Sequence, residues 1–214
     1  MPEISESQRR LAYLRLERLI VTLKLAPGAL VTEKQLLVLA GFGRTPVREA
    51  IQRLESQGLM EVRPRAGLLI TALDPAHPAM VQETRRQLEP LAARLMAGNI
   101  TPNRRERLIE CAKAMTECSV TGDCEGFLDA GKAFDEIMEE ACPNPFVCQA
   151  LAPLQTHSRR YWFASATQTS LERSVKLHMR VIRALLKGDG DESEKEMRRL
   201  MDGLLTSIDQ VTDR

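Results

Sequence analysis

The sequence predicts a mainly α-helical protein, with three helices and a β-hairpin at the N-terminal end followed by an all-α helical bundle. Three observations lead there. Apolar residues recur at three- and four-residue spacing through most of the chain. Two short apolar segments flank the turn Pro64-Arg65-Ala66-Gly67. A boundary with two prolines in four residues, Pro75 and Pro78, separates that region from a C-terminal part in which no segment alternates with period two.

The first helix is expected over residues 6–24, where Leu16, Leu19, Ile20 and Leu23 share a face and Ala26-Pro27-Gly28 ends the run. The second is short, over 32–40. Thr32 followed by Gln35 has capping-box spacing, so the hydroxyl can take one orphan amide while the Gln side chain returns to the cap. Gly41-Phe42-Gly43 is a tight break. The third helix is expected over 46–57, with Thr45 as N-cap and Pro46 in the first helical position. Val47, Ala50, Ile51 and Leu54 form its apolar side, and Gly58 stops it. Residues 59–63 and 68–71 make the hairpin.

This organisation places a first domain over 1–73, a linker over 74–78 and a second domain over 79–214. Helices in the second are expected over 78–98, 102–120, 124–142, 145–164, 170–187 and 191–211, with the first overlapping the linker's end. A bundle of that size can bury its own core.

Composition narrows the function. The chain is 43% hydrophobic and 28% charged, with a net charge of +1. The charge is uneven: residues 1–75 hold 11 Lys and Arg against 8 Asp and Glu, and residues 76–214 hold 19 against 21. A basic front suits a DNA-binding head, and ordinary scatter gives the same number. The five cysteines are odd in count and lack C-x-x-C spacing, which argues against a zinc ribbon and a disulfide framework. Reduced thiols in a cytoplasmic protein are the simplest account. The polar, acidic start Met1-Pro2-Glu3-Ile4-Ser5-Glu6 is unlike a signal peptide, and no apolar run nears the ~20 residues of a membrane span.

Three helices and then a hairpin is the order of a winged helix-turn-helix, whose third helix enters the major groove. Arg44 and Arg48 are four apart and offer planar forks for guanine or phosphate. Thr45 can reach a phosphate beside the free amides of the first turn. Arg63 and Arg65 flank the hairpin tip, and Lys34 lies near the start of the second helix as a phosphate contact. An Arg at a helix start beside an apolar stripe is common in any helical protein, so the weight rests on the ordered set.

Residues 19–71 resemble the N-terminal domain of the GntR family of regulators. The resemblance is carried by Pro27-Gly28-x-Leu30, Glu33-x-x-Leu36, Gly41-x-x-Arg44-Thr45-Pro46-Val47-Arg48-Glu49-Ala50, Leu54-Glu55-x-x-Gly58-Leu59 and Arg65-x-Gly67. Gly43 departs from the family's usual Ser or Thr and removes one hydroxyl. The resemblance implies a homodimer reading a palindromic operator in double-stranded DNA, with contacts at Lys34, Arg44, Thr45, Arg48 and Gly67.

The C-terminal part is similar to the FadR-type effector-binding domain (FCD) of that family, through Arg85-x-x-Leu88-Glu89, Phe134 with Asn144, and His178 with Gly188-Asp189. The similarity implies a small, anionic organic acid as effector, and in many such regulators a divalent metal such as zinc. The metal-ligand positions map onto Gly131, Asp135, His178 and Leu200. Two of these cannot bind a metal, and zinc takes at least three protein ligands, so Asp135 and His178 alone are an incomplete set. No cofactor is favoured, and the effector-binding candidates are Arg85, Asp135, Glu139 and His178.

Each has a plainer reading. Arg85 and Glu89 can be an i,i+4 ion pair. Asp135 and His178 can line a metal-free cavity or pair with each other. Arg159-Arg160-Tyr161-Trp162 can stack a planar ring or pack in the core, and Asn144 suits a helix cap. The leading expectation is a ligand-responsive, dimeric repressor of a metabolic operon. The alternative is a regulator whose helical domain only dimerises or binds a protein. An enzyme would rest on Asp135 with His178, and no nucleophile elbow, phosphate loop or metalloprotease motif accompanies them.

Overall fold

The computed structural model describes the backbone of residues 2–212 and the side chains of residues 7–204. It divides into two compact units, Met1–Asp74 and Pro75–Arg214. The last two residues of the expected second domain lie outside the described part.

The first unit holds α1 (Pro2–Val21), β1 (Leu30–Val31), α2 (Glu33–Ala40), α3 (Arg44–Ser56), β2 (Met60–Arg63) and β3 (Gly67–Ile70). The capping box at α2 forms as its spacing implies: Gln35 N–H donates to Thr32 Oγ1 at 3.2 Å, and Thr32 N–H donates to Gln35 Oε1 at 2.8 Å. Gly41 ends α2 in the left-handed region (φ 73°), which a residue without Cβ enters at no cost. Val47, Ala50, Ile51 and Leu54 of α3 are buried against Ala12, Leu16 and Ile20 of α1 and Leu36 of α2. Arg53 lies over the Tyr13 ring at 3.9 Å, and Tyr13 donates its hydroxyl to Gln57.

Two details depart from expectation. Helix α3 starts at Arg44, and its N-cap is Gly43 rather than Thr45. Gly43 is extended (φ −67°, ψ 173°), and its carbonyl already accepts from Val47 N–H at 3.3 Å. Pro46 therefore sits third in the helix, where its missing amide is still one of the orphan set. The second detail is a third strand. β1 pairs antiparallel with β3, with Leu30 opposite Leu69 and Val31 opposite Leu68, so β3 is central between β1 and β2. Two residues are too few to show period-two alternation.

The second unit holds α4 (His77–Ala97), α5 (Pro102–Thr121), α6 (Cys124–Ala141), α7 (Pro145–Ser165), α8 (Gln168–Lys187) and α9 (Gly190–Thr212). Caps explain most of the starts: Thr101, Asp123, Asn144 and Thr167 each accept from a first-turn amide. Asn144 caps α7 through Oδ1, accepting from Phe146 and Val147 N–H. The core is formed by all six helices, with Met96, Leu108, Met115, Phe134, Ile137, Val181, Leu185 and Leu200 among its fully or nearly fully buried members.

Candidate nucleic-acid interface and interior polar cluster

The exposed side of α3 carries Arg44, Thr45, Arg48 and Gln52. At 100° per residue these four fall within about a third of a turn. With Gly43 as the cap, the Thr45 hydroxyl is not consumed by capping. Lys34 is exposed in the first turn of α2. Among the described residues, the side chains of Lys34, Arg44, Thr45, Gln52 and Arg65 make no hydrogen bond or ion pair. Gln52 was not singled out from the sequence. Its signal is its place one turn beyond Arg48, and its amide can address adenine N6 and N7.

Arg48 differs from that group. Its Nε donates to Glu33 Oε1 at 2.8 Å, which links the starts of α2 and α3, and the carboxylate further stabilises the guanidinium charge. Arg63 pairs with Glu61 at 3.2 Å on an exposed strand. Arg65 stands at the hairpin tip with φ 65°, and Ala66 N–H closes the turn on Arg63 O at 3.1 Å. Pro64 in the second position and a positive φ in the third are the pattern of a type II turn, where Gly or Asn is usual. Gly67 has φ 113°, and a Cβ there would lie 2.9 Å from Val31 O. The glycine is thus required by strand packing against β1, whatever it does towards DNA.

In the helical unit, Arg85, Asp135 and His178 meet in one interior cluster, while Glu139 does not join it. Arg85 is 8% exposed and Glu89 1%. Arg85 donates to Glu89 Oε1 through Nε (3.1 Å) and Nη2 (2.9 Å), and through Nη1 to Gln82 (3.3 Å) and Ser158 (2.6 Å). Gln155 adds a donor to Glu89 at 3.1 Å. The expected i,i+4 pair therefore exists, but buried, as the centre of a network across α4 and α7.

Asp135 pairs with Arg159, not with His178, and Arg159 also donates to Thr156 at 3.0 Å. Burial pushes the Asp135 carboxyl up, to about 6, against the pull of Arg159. His178 Nδ1 lies 2.7 Å from Ser174 O. Burial lowers its pKa to about 4, with Arg85 contributing in the same direction, so the ring is neutral and Nδ1–H donates to that carbonyl. Phe127 and Phe134 meet the His178 ring edge to face, with centroids at 5.5 and 6.0 Å. Trp162 packs on Phe127 at 4.8 Å and donates to Ser174 Oγ at 3.2 Å, so it belongs to the core.

Glu139, expected among the effector-binding residues, is exposed and lies outside the interior cluster. Zinc does not fit here. Gly131 has no donor, Leu200 is core, Asp135 is held by a guanidinium where a dication would sit, and Glu139 faces outward. Among the described residues no three His, Cys, Asp or Glu side chains group as metal ligands. The five cysteines are free, and burial pushes Cys111 up to about 11, leaving essentially no thiolate for nucleophilic chemistry at neutral pH. No described helix is long and apolar enough to cross a membrane.

Comparison with known proteins agrees with this arrangement. Residues 8–70 match the family of bacterial regulatory proteins, gntR family, and residues 80–203 match the FCD domain. The chain is 26% identical to an uncharacterized HTH-type transcriptional regulator in an unstable DNA locus of Streptomyces ambofaciens, covering 96% of this chain and 86% of that protein. It is 25% identical to the HTH-type transcriptional repressor RspR of Escherichia coli K12, covering 93% and 88%. Its fold is similar to that of E. coli McbR/YncC, with a TM-score of 0.80, 21% identity, and 96% and 98% of the two chains covered. With a winged helix matching the first family and a helical unit matching the second, the chain belongs to the gntR family of bacterial regulators and is an FCD-containing, DNA-binding transcriptional regulator rather than an enzyme.

Proposed function

We propose that this regulator is a cytoplasmic, ligand-responsive repressor that binds a palindromic operator as a homodimer and takes a small organic acid in its helical unit. On the DNA side the reading is supported by the exposed, unengaged face of Arg44, Thr45 and Gln52 beside Arg48, flanked by Lys34 and the hairpin cations Arg63 and Arg65. Arginine forks read guanine, the Gln amide reads adenine, and the hairpin cations hold phosphates.

The effector side rests on one observation: Arg85, Arg159 and a neutral His178 gather in the bundle interior, among the buried polar groups Gln82, Glu89 and Gln155. Two guanidiniums there already hold carboxylates, those of Glu89 and Asp135, and a carboxylate ligand can exchange with the Asp135 side chain. The second reading, a helical domain without effector, is favoured by the same network seen from the other side, since the donors of Arg85 are taken by Glu89, Gln82 and Ser158.

One pair of experiments tests both halves. Arg44→Ala and Arg48→Ala should each lose operator binding, by about 10- to 100-fold, with the fold intact. If both bind as the parent does, the recognition helix is misassigned. A thermal-shift screen of mono- and dicarboxylic acids should raise the melting temperature by mass action, and the stabilising acid should release operator. No shift from any acid, with DNA binding intact, leaves the second reading.

A further inference from the structure

The joint between α6 and α7 carries two cysteines. Cys142 caps the C-terminal end of α6, and Cys148 lies in the first turn of α7. The residues between them are Pro143-Asn144-Pro145-Phe146-Val147. Both cysteines are fixed by backbone hydrogen bonds: Cys142 N–H donates to Met138 O at 2.9 Å, and Cys148 N–H donates to Asn144 O at 3.3 Å. The two prolines take φ freedom out of the chain that joins them.

The side chains converge on the same joint. The Cys142 thiol donates to Asn144 O, and the Cys148 thiol reaches back to Glu139 O, each at 3.8 Å. The two thiols are also within hydrogen-bonding reach of each other. Cys111 and Cys118, by contrast, lie seven residues apart on one helix, about 10 Å along its axis, beyond the ~7 Å that a disulfide spans between Cα atoms. Cys142 and Cys148 are 7% and 9% exposed, while Pro143, Pro145 and Phe146 between them are open to solvent. The pair therefore lies under one turn of surface chain.

We propose that Cys142 and Cys148 are a thiol–disulfide site, oxidised to an intrachain bond by exchange with a low-molecular-weight disulfide. The site is independent of the effector and homodimer readings above. The Cys142 thiolate attacks one sulfur of the small disulfide, whose S–S bond breaks as one thiolate leaves. The Cys148 sulfur then attacks the Cys142 sulfur, and the second thiolate leaves as the Cys142–Cys148 bond forms. The two cysteines give up two electrons, and their two protons end on the two released thiols. Burial pushes the Cys148 thiol up to about 12, with the neighbouring Cys142 adding to the rise. Cys148 is therefore the second to act, where being held beside its target counts for more than thiolate content. The dithiol gains no stabilisation from ionisation, so the closed bond is the harder to reduce. Closure pins the end of α6, the helix of Asp135, to the start of α7, the helix of Arg159.

The test uses the folded full chain in glutathione buffers of graded redox ratio, quenched with acid, alkylated and digested with trypsin. Cleavage after Lys132 and Arg159 leaves both cysteines in one peptide, residues 133–159. That peptide should lose two hydrogens and take no alkylating group, and dithiothreitol should restore both thiols. The midpoint, as the square of reduced over oxidised glutathione, should be at least about tenfold higher for the folded chain than for the chain in urea, because the fold holds the sulfurs together. Cys148→Ser should stop at a glutathione adduct on Cys142. Cys142→Ser should carry about tenfold less adduct on Cys148 in the same time. Equal adducts on the two variants would overturn the order of attack. A peptide that keeps both thiols at every ratio, or equal midpoints for the folded and unfolded chain, overturns the site. A bond from either cysteine to Cys111, Cys118 or Cys124 overturns the pairing.

Discussion

Glu33 and Arg48 are joined at 2.8 Å across the gap between α2 and α3, so this arginine of α3 is held by an acid at the start of the preceding helix. The pair is exposed, and its worth to stability is small. Its consequence lies in binding. On the proposed DNA-binding face, Arg48 is aimed before DNA arrives, and a carboxylate stands where phosphates are expected.

Glu33→Gln is therefore expected to act on affinity and selectivity in opposite directions. Removing the negative charge should tighten binding to non-operator duplex and steepen the salt dependence by about one unit of slope. Releasing Arg48 should reduce the ratio of operator to non-operator affinity. Fluorescence anisotropy on a selected operator and a scrambled duplex, over a salt series, measures both. An unchanged ratio would show that Glu33 does not position Arg48.

Arg65 at φ 65° is held in a conformation that costs an L-residue about 1–2 kcal/mol. Glycine would relieve this while adding unfolded-chain entropy of about 0.5–1 kcal/mol, which leaves a net gain of about 1 kcal/mol or less. Arg65→Gly is expected to melt within a few degrees of the parent while binding all duplexes more weakly, with the salt slope lower by about one. Equal affinity would mean that the hairpin tip stays away from the phosphates.

Much of this was legible because it is local. The Thr32–Gln35 box, the Val47, Ala50, Ile51 and Leu54 stripe and the Asn144 cap each depend on spacing within one element. The missed features depend on distant partners. Glu33 and Arg48 are 15 residues apart, Asp135 and Arg159 are 24 apart, and β1 has meaning only once β3 lies beside it. Glu139 shows the limit of helical spacing. The buried stripe of α6 runs through Phe127, Phe134, Ile137 and Ala141, and Asp135 sits at its margin. Each step of four residues turns about 40° further round, which carries Glu139 into solvent.

His178 gives a stability signature with a definite sign. Its pKa falls to about 4 in the folded chain from an ordinary value near 6.5, so the fold favours the neutral ring. That contribution is fully present above 6.5 and is lost as pH falls towards 4, by as much as about 3 kcal/mol. Asp135 works against it: its raised pKa makes the protonated form the more compatible one, so its burial cost is relieved as pH falls through about 6. The clean measurement is the difference between the parent and His178→Gln across pH 4–8. The parent's advantage should shrink on acidification below 6.5, and a constant difference would mean that the ring titrates normally.

On the proposed effector reading, Asp135 and Arg159 couple ligand binding to a proton. An incoming carboxylate that takes Arg159 leaves Asp135 buried beside a new negative charge, which raises its pKa above the value of about 6 it has without ligand. Binding then takes up a proton. Affinity for the stabilising acid should be highest below pH 6 and fall as pH rises above it, by up to tenfold per unit where one full proton is taken up. Asp135→Asn removes the competing charge, so the variant should bind the acid more tightly at pH 7.5 and lose the pH dependence. Calorimetry in two buffers of different ionisation enthalpy counts the proton directly. If parent and variant share one pH profile, Arg159 is not the anchor, and Arg85 with its Ser158 and Gln82 partners becomes the group to test.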